Sequence, residues 1–500
     1  MKAIIIGLHP IVQNLTRQYE EKGFDVDYQQ PFPPVLQRLN DYDEMVLIAN
    51  AGEDEKVIAL LAAYSQHYHT EHHGGRRMRC HLMVQSRRTL QMLYSCELCD
   101  AIKKKFDVYP FTLDDEWCKS IVLDWEPINI QSEKHVHLVI FGDGEVAESM
   151  AIHAVHVAHY PNYIHNHSLR TRITMVTSEA ESKYEDFIKR HVNLFDNCYY
   201  RVVKPSDKNA VKMLHRPMYE GKREDFVDVE WEFVEADCQD ALLRRKLQLW
   251  AEDCRQVLTL VFAHKEEDKN ICQAILLPDA IFARHIPVHI YSHVERVLPS
   301  VSSFHLFGLS DRGYDLNLPI VEMAKSVKYV YEQCYNYIES VDRKEGRELF
   351  PISIDKEECE GLWREESSIK RQSCIRNAMS IPTKLRSIGL EENDWEKFYD
   401  LTREDIEILA EVEHNRWNVE ELILGYRPCT DKELRDIERD VAREKGKHKS
   451  RMIHYDLCAY NELRTDHTGK SVKVYDLTLS YSLPLIVKSL CEERGASGYE

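Results

Sequence analysis

The sequence predicts an α/β protein, with two tandem units built on parallel sheets and a small, mostly helical module after them. Three observations predict it. Short apolar runs alternate with amphipathic stretches over the first two thirds of the chain, the pattern of βαβ units. The alternation begins twice, at Lys2–Gly7 and at Val136–Gly142, each time as an apolar run ending on a glycine, like a weak internal duplication. In the last quarter the period changes: Ala410, Glu413, Trp417, Glu420 and Leu424 recur at three- and four-residue steps, the spacing of one helix face.

In chain order, Lys2–Ile6 reads as a strand and Gly7 as a turn. A helix opened by Pro10 then runs through Val12, Leu15 and Tyr19 to Gly23. Phe24–Tyr28, Glu44–Ala49 and Cys80–Val84 read as strands, with an amphipathic stretch at Val57–Tyr64, so the first unit spans 1–127. The second, 133–340, starts with the apolar run His135–Phe141, a glycine turn and a helix from Glu148 to His159. Strands are expected at Thr171–Val176, Tyr199–Val203, Val227–Val234, Val257–Phe262 and Val288–Tyr291. Helices are expected at Asp240–Gln256 and Ile271–Arg284, with a closing helix at Ile320–Ile338. The charged stretch Ser340–Glu366 reads as a boundary, leaving a helical lead-in at 341–395 and a final module at 396–500. Thr402 and Asp405 carry capping-box spacing, and Gly425 stops the helix that follows. Asp431–Arg451 reads as a solvated helix or loop.

Composition narrows the function classes. A net charge of −19 argues against nucleic-acid binding, because phosphate backbones select basic surfaces. No run approaches the ~18 apolar residues of a membrane span, and Met1–Gly7 is too short for a signal sequence. Fourteen scattered cysteines fit free thiols in a reducing cytosol, so a cytoplasmic location is expected.

The main chemical motif is Gly142-Asp143-Gly144-Glu145-Val146-Ala147, directly after an apolar strand. The first glycine permits a tight turn and the second lets the backbone approach a pyrophosphate. The small third residue allows close helix packing, and the helix N-terminus supplies partial positive charge. The segment resembles the nucleotide-binding half of potassium-transport regulatory domains of the TrkA-N or RCK type. That resemblance implies a Rossmann-like fold binding NAD or another adenine nucleotide. Such domains carry an acidic residue at the end of the second strand, where this chain has Thr177. The alternative is a turn kept for packing alone. The first unit keeps a single fingerprint glycine, Gly7, and reads as a structural or dimerising partner.

Other candidates read as structural. His67, His69, His72 and His73, and likewise His153, His156 and His159, lack the spacing of a metal site, so no metal is expected. Cys96 and Cys99 form one CxxC within a helical stretch and read as packed thiols. Asp114-Asp115 and Glu266-Glu267 read as exposed charge runs. Nothing matches a nucleophile elbow or a Walker loop, so no catalytic residue is nominated.

The helix ending at Gly425 carries Glu413-His414-x-Arg416-Trp417, then Gly425-Tyr426-x-Pro428, Met452–Leu457, Tyr475-Asp476 and Pro484–Ile486. These residues resemble the ryanodine-receptor repeat domain, in its free-standing bacterial form. Arg371–Ser380, Lys384, Leu385 and Gly389 resemble the helical lead-in of such proteins. His454 stands where that family often has proline. The resemblance implies a helical ligand-binding module with a pocket built from Glu413, His414, Arg416, Trp417, Glu420, Tyr426 and Arg427. Trp417 would stack on a base, and Arg416 or Arg427 would pair with phosphate. Two glutamates on the Trp417 face imply a half-exposed face or the wall of a polar pocket. The structural alternative has Trp417 filling a core and Glu413 bridging to arginine.

Together these features predict a non-catalytic, cytosolic nucleotide-binding sensor. Its modules would signal to a partner, either a separate membrane transporter in potassium regulation or an effector in bacterial stress or antiviral defence. Homodimers or higher homo-oligomers are expected by analogy. The alternatives are an NAD-dependent oxidoreductase or nucleotide hydrolase, and a scaffold without ligands.

Overall fold

Buried apolar runs ending at glycine turns form the strands of two separate sheets. The computed structural model describes residues 1–30, 38–122, 128–204, 211–217, 225–296, 303–334, 354–391, 394, 397–430, 432–433, 446–465 and 471–488. The first sheet contains β1 (Lys2–Ile6), β2 (Asp25–Gln29), β3 (Glu44–Ile48), β4 (Met78–Met83) and β5 (Phe106–Phe111). All are parallel, in the order β2-β1-β3-β4-β5. Helices α1 (Val12–Glu21), α2 (Asp54–His67), α3 (Arg87–Ser95), α4 (Asp100–Lys103) and α5 (Leu113–Val122) connect and flank these strands. The sequence pattern misses β5 because Asp107 and Pro110 interrupt its apolar residues. An edge strand tolerates proline, and β5 is the edge.

The second sheet contains β6 (His135–Phe141), β7 (Thr171–Thr177), β8 (Tyr199–Val203), β9 (Val211–His215), β10 (Val229–Glu235), β11 (Gln256–Phe262), β12 (Val288–Tyr291) and β13 (Phe304–Phe307). Its order is β13-β12-β11-β6-β7-β10-β8-β9. Seven strands are parallel and β9 closes one edge as an antiparallel hairpin with β8. Helices α6 (Glu145–Val157), α7 (Asn162–His165), α8 (Ala180–Arg190), α9 (Val192–Asn197), α10 (Ala241–Glu252), α11 (Glu267–Ile275) and α12 (Asp279–Ala283) belong to this unit. The single helix expected at Ile271–Arg284 is two, because Pro278 ends one and precedes the other.

The period-two alternation of buried strands divides the apolar residues between layers. Ala3 and Ile5 of β1 share one core with Leu138 and Ile140 of β6, with Trp117 of α5 and Met150 of α6. Ile4 and Ile6 face α2 and α3 instead, and Val139 and Phe141 face α10 and α12. One face of each sheet therefore contributes to a common core that contains α5 and α6. The chain leaving β13 returns to the first unit and locks this arrangement. Tyr314 stacks on Phe111 with ring centroids 3.6 Å apart, and its hydroxyl lies 2.8 Å from Nδ1 of His81. Gln18 brackets that segment, donating to the Tyr314 carbonyl at 2.8 Å and accepting from the Leu316 N–H at 2.9 Å.

The C-terminal helices α13 (Pro319–Glu332), α14 (Lys356–Glu365), α15 (Ser368–Ser387), α16 (Arg403–Ile423) and α17 (Val474–Tyr481) build a separate core around Val327, Trp363, Ile381, Leu409 and Leu479. A three-stranded sheet of two-residue strands, β14 (Arg427–Pro428), β15 (Lys447–His448) and β16 (Ile453–His454), follows α16. The expected boundary at Ser340–Glu366 contains α14, which is held by buried Cys359 and Trp363; residues 335–353 lie outside the described residues. Most of Asp431–Arg451 lies outside them as well. Among the described residues, no helix is long and apolar enough to cross a membrane.

Candidate functional site

Gly142 and Gly7 hold equivalent places in the two sheets. Each follows the first strand of its unit, where the strand order reverses: between β1 and β3 in the first sheet, between β6 and β11 in the second. In open parallel sheets this is where ligands bind. Their φ values are +136° and +135°, and a Cβ would lie 2.6 Å from a carbonyl oxygen, that of Ala263 at Gly142 and of Ile48 at Gly7. Both glycines are thus required by the protein's own packing.

Gly144 differs. A Cβ there meets nothing within 4 Å, and its φ of −88° suits any residue. It is the N-cap of α6 and offers no side-chain cap, so the first-turn N–H groups receive no acceptor from it. Val146 and Ala147 are buried in the shared core. Glu145 is exposed and accepts from the Arg87 N–H at 3.3 Å. Asp143 lies 3.4 Å from both the Thr177 hydroxyl and Lys183 Nζ. A carboxylate, Asp143, therefore stands beside position 177 at the end of β7, within reach of Lys183. Gly142→Ala is expected to cost about 1–3 kcal/mol, whereas Gly144→Ser is expected to change stability by under about 0.5 kcal/mol. Thermal unfolding of the two variants checks this, and equal losses would contradict the distinction.

α6 connects this turn to the rest of the molecule. Ser149 donates to Oδ1 of Asp115 at 2.8 Å, and Nε2 of His153 is also 2.8 Å from that oxygen. Asp115 is 6% exposed. Burial disfavours its charge, but His153 and Lys119 outweigh burial and hold the carboxyl well below its usual range. The exposed charge run expected at Asp114-Asp115 is instead a buried strut between the units, with Asp114 half-buried beside it. On the same helix, His156 is buried, and among the described residues neither ring nitrogen has a hydrogen-bond partner. Burial, with Arg376 and Arg416 nearby, holds it neutral. His159 is paired with Asp228 at 2.8 Å.

The Trp417 helix begins in the expected capping box, Thr402 with Asp405, and ends before Gly425 at φ +91°. Its acidic face is neither half-exposed nor a pocket wall. Glu413, Arg416 and Glu420 are each 2% exposed or less. Arg416 donates to Glu413 at 2.9 and 2.7 Å and to Glu420 at 2.5 Å. From α15, Lys384 pairs with Glu413 at 2.5 Å and Arg376 with Glu420 at 3.2 Å. A core stripe can carry two glutamates here because three cations meet them. Burial alone would raise both carboxyls, but these cations hold them below the usual range.

Around this network, Nε2 of His414 lies 3.0 Å from the Cys458 carbonyl, and Nδ1 is 3.3 Å from Asp476. Trp417 is half-buried, stacked on His414 at 5.5 Å and meeting His454 edge-on at 4.7 Å. Tyr426 lies 6.1 Å from His454 and carries Lys447 over its ring at 4.7 Å. Arg427 is paired with Glu433 at 2.7 and 2.9 Å. The structure thus gathers Trp417, Tyr426, His454 and Lys447 into one partly open aromatic group. It uses Arg416 internally.

Sequence reasoning did not single out Tyr291 or His293, and set Asp114 aside as part of a charge run and His9 as uninformative; all four lie at strand ends on the carboxyl side of the sheets. That position was their only legible signal. The expected helical placement of Cys96 and Cys99 is also corrected: both are exposed, between α3 and α4. Among the described residues, no group of three or more His, Cys, Asp or Glu side chains could hold a metal ion. No protein-family model, curated protein or solved structure matches the chain.

Proposed function

We propose that this chain is a non-catalytic regulator that binds a nucleotide-derived ligand at the Gly142–Ala147 turn. The position of α6 carries the proposal. Its N-terminus is the open turn, and its sides pack on α5 of the first unit and on α15 and α16 of the C-terminal helices. A phosphate bound by the first-turn N–H groups would act on a helix that all three parts of the molecule share. Asp143 and Thr177 would face the ribose hydroxyls, and NAD or another adenine nucleotide is the ligand class. Binding shifts the packing by the ligand's difference in affinity for the two arrangements.

The likeness of the final helices to ryanodine-receptor repeats supports a second contact surface at Trp417 and Tyr426. A separate partner would read the change, a membrane transporter or a defence effector, with the chain acting as a homo-oligomer in the cytoplasm. Thermal-shift titration with NAD, ATP, ADP, AMP and ADP-ribose tests the proposal. One nucleotide at ~100 times its dissociation constant is expected to stabilise by about 2.7 kcal/mol, and Gly144→Trp is expected to abolish the shift. No shift with any of them would overturn it.

A further inference from the structure

The carboxyl ends of the two sheets open onto one seam. Glu145, after β6, takes its hydrogen bond from Arg87, after β4. His9 follows the Gly7 turn, close enough to His293, after β12, for the two rings to repel when charged. Asp114 stands at the start of α5 on the same seam, near enough to the Tyr291 hydroxyl at the end of β12 for each to act on the other's ionisation. That hydroxyl lies 3.0 Å from Nε2 of His293, and the Trp117 ring lies 5.9 Å from His293. His293 is exposed, while His9 and Asp114 are half-buried. Tyr291 is 5% exposed, so the seam runs from an exposed imidazole inward to a buried phenol.

Resting on the proposed nucleotide at Gly144, we propose that the ligand is held between the two units. Asp114, His9, Tyr291 and His293 would form a subsite for its distal, non-phosphate end. The strand order sets the reach. β12 lies two places from β6, about 10 Å at ordinary strand spacing, so a phosphate at the Gly144 turn cannot itself touch Tyr291. The ligand class is a dinucleotide or sugar–nucleoside diphosphate, whose second half carries donors and acceptors to match a carboxyl, a phenol and two imidazoles. Burial pushes the Asp114 carboxyl up to about 6; His293 and Tyr291 oppose that rise, and Glu145 and Asp115 add to it. Near neutral pH, Asp114 can therefore accept or donate a proton in such a hydrogen bond. The first unit thus supplies half of the site, beyond its expected role as a structural partner.

Calorimetric titration of the full chain with NAD, ADP-ribose and ADP tests this. NAD or ADP-ribose is expected to bind at least about tenfold more tightly than ADP, as one or two added hydrogen bonds allow. Asp114→Asn and Tyr291→Phe are each expected to remove most of that advantage. Both variants should leave ADP affinity unchanged, which also reports that they fold, and His9→Ala provides a third, independent variant. Equal affinity for all three ligands, lost with Gly144→Trp but untouched by the seam variants, would overturn the subsite and leave the glycine-turn proposal standing. No binding of any of the three would overturn both.

Discussion

Replacing Arg416 with leucine is expected to cost about 3–5 kcal/mol, because it leaves two buried carboxylates short of their shared cation. Lys384 and Arg376 each reach only one of the pair. Adding Glu413→Leu and Glu420→Leu to Arg416→Leu is expected to recover little of the loss, because it leaves the buried Lys384 ammonium without its carboxylate partner. Urea unfolding of the single and triple variants checks both statements. A loss below about 1 kcal/mol in the single variant would mean that Arg416 behaves as an exposed charge does. The network would then not be the tie between α15 and α16.

Tyr314→Ala is expected to cost a further large amount, about 3–5 kcal/mol for a truncated buried aromatic. The side chain belongs to the segment after β13, yet it stacks on Phe111 of the first unit and partners His81 there. Its loss opens a cavity and strands a buried imidazole. Melting followed by calorimetry is expected to change from one transition to two, as the first unit loosens from the second. A single, unshifted transition would contradict the assignment of Tyr314 as a clamp.

The parts legible in the sequence were those set locally. Apolar runs ending on glycine gave the central strands, and a capping box and a glycine marked the ends of α16. The turn at 142–147 joins β6 to α6 as its strand–glycine–helix pattern indicates, with Gly142 at positive φ. The obscure parts depend on distant partners. β5 hides because an edge strand need not be uniformly apolar. Asp115 and Glu413 are strongly hydrophilic by type, and their burial is stable because His153 and Lys384, brought in from other helices, join Lys119 and Arg416 of their own helices. The resemblance sought a carboxylate at position 177, whereas the carboxylate beside that position belongs to Asp143 in the turn itself. No spacing rule relates His9 to His293, which come within electrostatic reach only because the two sheets turn their carboxyl ends toward one seam.

Hydrogen–deuterium exchange, with and without the nucleotide that gives the largest thermal shift, tests the central claim most directly. Slower exchange is expected in residues 145–157 and also in 368–387 and 403–423, which α6 touches at a distance from the turn. Gly144→Trp is expected to erase all three effects together. Protection confined to the turn and the start of α6, with the C-terminal helices exchanging as before, would contradict a signal carried from the glycine turn to the final module.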